Sequence, residues 1–345
     1  MNFASDNTTG AASAVLDAIT AANDGARMPY GNDDLTQAVE RQVREIFETD
    51  ATVFLVATGS AANSLALSVM TPPYGSVLCH WTSHVYEDEC GAPEFFTNGA
   101  RMVPVDGAQG KLDLADLAAK AGHGAGDVHM LQPSAVSITQ ISELGTVYAT
   151  DEIGAVAEVC RARGLKLHMD GARFANALAA LDCAPADITW KAGVDVLSLG
   201  ATKNGALAAE AVVFFDSDLA AEFPFRRKRG GHLFSKMRLL AAQMQAYLTD
   251  DLWLANARHA NALAARMAAG LAEVPGVRFP IVNQCNMLFP VLPAAMIQGL
   301  HEAGFQFYDD RWEDGMVRLV CAFNTRETDV DAFVAEARRL AETAA

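Results

Sequence analysis

Three apolar runs in this chain end on residues that could do chemistry. TVFLVA runs into Thr58-Gly59-Ser60, LKLHM into Asp170 with Arg173 three positions on, and VLSLG into Thr202-Lys203. A glycine lets backbone approach a ligand closely, and Ser60 offers a hydroxyl. A helix opening there would present free N–H groups, which together make an anion site suited to a phosphate. Asp170 adds an acid and Lys203 an amine. Each feature has an ordinary reading on its own: a common strand-to-helix turn, a helix cap, a solvated loop lysine.

Taken together they are more specific. A phosphate cradle, an amine and a carboxylate at three strand ends fit pyridoxal 5'-phosphate. That cofactor needs its phosphate held, its aldehyde captured by an amine, and its pyridine nitrogen kept protonated so that the ring accepts electrons. A carboxylate beside the nitrogen stabilises the pyridinium by charge and hydrogen bonding. Other familiar signatures are absent: there is no G-x-G-x-x-G, G-x-x-x-x-G-K-[ST], G-x-S-x-G or H-E-x-x-H, and no metal site is expected.

Positioning these residues requires a sheet whose strands end together. Short apolar or β-branched runs at Thr52–Ala57, Ser76–Cys79, Val128–Leu131, Val136–Thr139, Leu165–Asp170, Val194–Leu199 and Ala211–Phe215 alternate with helical patterns. The helix candidates are Ser13–Ala22, Leu35–Phe47 (capped by Asp33 or Asp34), Ala61–Met70 and Asp151–Arg163. Continuous apolar strands alternating with helices predict an α/β fold with a mostly parallel sheet covered on both faces. In such sheets ligands bind beyond the carboxyl ends of the strands. Long helical patterns at Leu233–Tyr247 and Leu252–Leu271 mark a change of regime. Short runs at Val277–Pro280, Met287–Val291 and Val317–Ala322 then alternate with helices near Ala294–Ala303 and Thr328–Ala341. The expected division is a large domain over 1–247 and a smaller α+β domain over 248–345.

Composition bounds the partners. The 345 residues are 51% hydrophobic and 20% charged, as in a globular chain. A net charge of −16 argues against a nucleic-acid partner, which would need clustered Lys and Arg. The main basic cluster, RRKRGGH at Arg226–His232, reads as a solvated or anion-contacting loop. Six scattered cysteines without a C-x-x-C pair suit reduced thiols and a cytoplasmic location. Ala51–Tyr86 lacks Asp, Glu, Lys and Arg, but Gly59, Pro72 and Pro73 punctuate it. It reads as buried core rather than a membrane span.

The sequence resembles the low-specificity L-threonine aldolases, pyridoxal-phosphate enzymes of the aspartate-aminotransferase fold, and the related phenylserine aldolases. The resemblance spans essentially the whole chain through ASDN, MPYGNDD, TGSAAN, HVYEDECGAPEFF, LHMDGARFANA, LGATKNG and the late arginine of MVRLV. It implies that Lys203 is the Schiff-base lysine, Asp170 the partner of the pyridine nitrogen, and Gly59 and Ser60 the phosphate holders. His84 would stack on the ring and suits proton transfer. Arg173 would reach the cofactor's ring oxygen and the substrate carboxylate, and Ser5 and Arg318 would bind that carboxylate, a task suited to an arginine fork. The implied reaction is retro-aldol cleavage of a β-hydroxy-α-amino acid to glycine and an aldehyde. His84 or an ordered water would act as base. β-Elimination and transamination on the same scaffold remain alternatives. The resemblance also implies a homo-oligomer, dimer or tetramer, with sites shared between subunits.

Three positions depart from the family pattern. Asn204 follows the lysine where many relatives have glycine, and Gln140 stands where the family carries a histidine near the substrate hydroxyl. The segment that supplies a phosphate-binding arginine from the neighbouring subunit reads RGGHLFSKMR, with Arg238 the best match and Lys236 the alternative.

Overall fold

The computed structural model describes residues 1–312 and 315–344. Seven strands form one sheet: β1 Thr52–Val56, β2 Gly75–His80, β3 Arg101–Val105, β4 Gln132–Thr139, β5 Lys166–Gly171, β6 Val196–Gly200 and β7 Glu210–Phe214. Their order is β1-β7-β6-β5-β4-β2-β3. β7 runs antiparallel to both neighbours and the other pairings are parallel. Every residue of β2, β6 and β7 is buried, as expected of strands packed on both faces.

Alternation along β5 divides its side chains between those faces. Leu167 and Met169 join the core built with Val43, Phe47, Phe174 and Tyr247. His168 and Asp170 point to the opposite face, because successive strand residues alternate sides. There lies the helix Gly59–Met70, buried along almost its whole length in a second core with Val56, Val77, Phe214 and Phe223. Its small residues let it pack closely on the sheet. His168 straps three strands together, bonded to Ser137 of β4 at 2.9 Å and Ser198 of β6 at 3.0 Å. Burial pushes its pKa down to about 4, so the ring is neutral.

A further core gathers Leu263, Met267, Leu300, Phe305 and Phe333. It lies against a two-stranded sheet of β8, Met287–Leu288, and β9, Leu319–Val320. The chain's start is part of it. Phe3 is buried there, its N–H donates to the Gln306 carbonyl, and its own carbonyl accepts from Val320 N–H.

Several expectations need correction. Val128–Leu131 is not a strand; it turns, and one strand, β4, spans Gln132–Thr139. Strand β3 escaped the sequence reading because Pro104 interrupts it, which an edge strand tolerates. The basic cluster is not a loop: Phe223–Arg229 is helical, and Arg227 is buried. Its guanidinium donates to the Leu55 carbonyl and sits 5.2 Å from the Phe54 ring centroid. The helix expected from Leu233 begins at Arg238, since the Ser235 carbonyl accepts from Tyr30 N–H instead of an intrahelical donor.

Candidate active site

Two residues past the end of β1 stands Thr58, whose side chain caps the helix Gly59–Met70 by accepting from Ala61 N–H at 3.2 Å. Gly59 and Ser60 form its first turn. A Cβ built on Gly59 would meet nothing within 4 Å, so the space beside the free N–H groups is open. One turn further on, Asn63 is buried and its amide donates at 2.9 Å to both Asp170 and Glu89. Glu89 in turn lies 2.9 Å from Nδ1 of His84, and the ring donates because a carboxylate only accepts. A continuous chain His84–Glu89–Asn63–Asp170 results. Burial alone would lower the His84 pKa. The Glu89 hydrogen bond and the charges of Asp170, Glu143 and Glu89 outweigh it and leave the ring raised above its ordinary value.

Asp170 is buried at the end of β5. It accepts from Ala172 N–H at 3.0 Å and from Asn63, and among the described residues no cation bonds to it. Lys203 sits half-buried just past the neighbouring strand β6. Among the described residues its Nζ makes no hydrogen bond or ion pair. Beside it, buried Glu210 accepts from Ala201 N–H at 3.1 Å. Burial pushes the Glu210 carboxyl up to about 7, against the opposing pull of the Thr202 hydroxyl and the Lys203 charge.

Arg173 is also buried, and Asp6 holds its fork: Nε and Nη2 donate to the two carboxylate oxygens at 2.7 and 2.9 Å. Burial pushes the Asp6 carboxyl up, but Arg173's charge and hydrogen bonds, Lys203's charge and Asn286's amide hold it below its ordinary value. Ser5 precedes it, its Oγ accepting from Asn7 N–H at 3.1 Å. Arg318 reaches the same segment through Nη2 to the Ala4 carbonyl, 3.1 Å, and lies 4.9 Å from the Tyr308 ring centroid. Burial and the nearby charge of Arg173 lower its pKa. Its Nε is buried and has no hydrogen-bond partner among the described residues.

The structure thus gathers Ser5, Gly59, Ser60, His84, Asp170, Arg173, Lys203 and Arg318 at one end of the sheet and its flanking N-terminal segment. Arg238 does not join them; its Nη1 donates to the Gly25 carbonyl at 2.9 Å, and Lys236 is exposed. Two departures from the family pattern serve local structure. Gln140 is fully buried and binds both the N–H and the carbonyl of Tyr148. Asn204 donates to the Tyr247 hydroxyl and the Trp253 carbonyl at 2.9 and 2.8 Å. Sequence reading did not single out Asp6, Asn63, Glu89 or Glu210. The first three lie inside the motifs ASDN, TGSAAN and HVYEDEC, which was the one available signal.

A buried carboxylate at the end of one strand and a lysine amine just past the next, neither bonded to an opposite charge among the described residues, fit pyridoxal phosphate beside an open helix start. The architecture is that of the aspartate-aminotransferase-like pyridoxal-phosphate enzymes. An aspartate aminotransferase from Rhodobacter sphaeroides shares the fold, with a TM-score of 0.71 at 17% identity over 99% of this chain and 92% of its own. A threonine aldolase from Leishmania major superimposes with a TM-score of 0.92 at 30% identity, covering 99% of each chain. The family model for beta-eliminating lyases matches residues 2–292. A low specificity L-threonine aldolase of Pseudomonas aeruginosa is 45% identical over 94% of this chain and 93% of its own length. Another from a Pseudomonas species is 42% identical over 97% and 96%. The chain belongs to the beta-eliminating lyase family and, within it, to the group of pyridoxal-phosphate carbon–carbon lyases that includes these aldolases.

Proposed function

We propose that this protein cleaves β-hydroxy-α-amino acids, with L-threonine, L-allo-threonine and L-3-phenylserine as candidate substrates, to glycine and an aldehyde. The observation that carries the reading is the pairing of Asp170 and Lys203 at neighbouring strand ends, each without an opposite charge bonded to it among the described residues. In this reading Lys203 would anchor the cofactor's aldehyde, Asp170 would pair with its ring nitrogen, and Gly59 and Ser60 would hold its phosphate. When bound, the cofactor supplies the electron sink for the pair released from the Cα–Cβ bond. Arg318, Ser5 and the free edge of Arg173 hold the substrate carboxylate, with Asp6 fixing the Arg173 fork. His84 would lie against the cofactor's ring and accept the β-hydroxyl proton at Nε2, since Nδ1 is committed to Glu89.

Residues 1–247 form the cofactor-binding part on this reading and residues 248–345 a smaller C-terminal part. Exposed Phe95 and Phe225 line a surface hollow of ≈ 850 Å³ with Arg226 and Arg229. They support a homo-oligomer, in which Arg238 or Lys236 would serve a neighbouring subunit's phosphate. Six free cysteines support a cytoplasmic setting. No described helix is long and apolar enough to cross a membrane.

The family description favours one second reading, β-elimination. Product analysis with L-threonine separates the two. Glycine with acetaldehyde is expected; ammonia with a keto acid as the main products would establish elimination instead.

A further inference from the structure

A cavity of ≈ 540 Å³ opens beside Arg318 on the outer side of the site. Its apolar wall includes Trp81, Ile281, Trp312 and Met316, and its charged groups among the described residues are Glu87, Asp88, Glu143, Arg311 and Arg318. Two of these cancel, since Arg311 donates to Asp88 at 2.8 Å. Arg318 is the group assigned above to the substrate's α-carboxylate. Glu87 and Glu143 are left facing the cavity, with no hydrogen bond or ion pair to another side chain among the described residues. Glu143 is half-buried, and its charge reaches His84, Arg173 and Arg318 alike. It lines the cavity beside Arg318 and lies within electrostatic reach of His84 and Arg173.

A substrate fixed at its carboxylate and its β-hydroxyl has one substituent left on Cβ, and the cavity is the space open to it. We infer that this cavity receives the β-substituent, and that Glu143, with Glu87 at the rim, makes the enzyme select an aromatic substituent that is neutral or cationic over an anionic one. The tryptophan faces and aliphatic wall suit a flat ring, and a cation on that ring gains from both the carboxylates and the aromatic faces. A ring carboxylate would instead be brought against two like charges in a partly desolvated space. The inference rests on the retro-aldol reading and narrows its substrate class.

The test uses the purified holoenzyme and measures glycine release from phenylserine, ring-carboxylated phenylserine and ring-aminomethylated phenylserine, with threonine as reference. The kcat/KM for the aminomethyl compound is expected to exceed that for the carboxyl compound at least tenfold, mostly through KM. Glu143→Gln should shrink that ratio about tenfold. Equal kcat/KM for the two charged compounds in the unaltered enzyme would overturn the inference, whether or not the variant folds, and so would a ratio unchanged by Glu143→Gln in folded enzyme. Threonine cleavage without charge discrimination leaves the reaction standing and removes only this inference. Glycine release from none of the four would overturn both.

Discussion

Asn63 gives one amide group to two carboxylates and so couples residues with different tasks. It donates to Asp170, the residue proposed to face the cofactor's ring nitrogen, and to Glu89, which binds Nδ1 of His84. Glu89 acts through the histidine: its hydrogen bond helps raise the His84 pKa against the lowering effect of burial. A base must be neutral to accept a proton, so activity falls as pH drops through that pKa. Glu89→Gln removes the charge and weakens the bond. The acidic limb of the kcat profile should move to lower pH and the maximal rate should fall, as a weaker base drives proton transfer less. A limb that stays in place in the variant would show that His84 is not the titrating base.

At the scale of elements, the ends of strands were the legible part. Apolar runs stopping at Asp170, Lys203 and Gly59-Ser60 marked both the sheet and three sides of the proposed site, because a parallel sheet buries its strands and ligands bind beyond their carboxyl ends. Their partners were not legible. Asn63 meets Asp170 across 107 positions and Glu89 across 26, and nothing in a helical pattern announces a contact at that distance. Arg227 misled for a related reason: a basic run looks solvated until a helix turns one member onto a ring and a carbonyl.

Glu210, at the start of the antiparallel strand β7, carries an element-scale consequence. Burial raises its pKa from an ordinary 4.5 to about 7. A carboxyl raised in the folded state stabilises fully below its unfolded pKa, and that contribution is lost as pH rises through the folded value. Glu210→Gln keeps an acceptor for Ala201 N–H and removes the ionisation. Relative to the unaltered protein it should gain stability as pH rises from about 5 to 8, by up to about 3 kcal/mol, at ~1.4 kcal/mol for each pH unit separating the folded and unfolded pKa values. Denaturant unfolding at the two pH values checks it; a stability difference independent of pH would contradict the assignment.

At the scale of the whole molecule, the first six residues tie the small sheet to the large one. Phe3 is buried in the C-terminal core, edge-on to Phe333 at 5.4 Å between ring centroids. Ala4 and Asp6 then reach Arg318 and Arg173. Phe3→Ala should cost ~3–5 kcal/mol by cavity formation. In the fraction that remains folded it should raise KM for the amino acid more than it lowers kcat. A variant with unchanged unfolding midpoint and KM would show that this segment is not an integral part of the fold and site.

The central claim is that Lys203 carries the cofactor opposite Asp170, and borohydride reduction followed by peptide mapping tests it most directly. Reduced holoenzyme should yield one covalently labelled peptide, bearing the cofactor's mass on Lys203, and Lys203→Ala should yield none and fail to turn over substrate. A label on another lysine, or a Lys203→Ala enzyme that still releases glycine at the normal rate, would contradict the account.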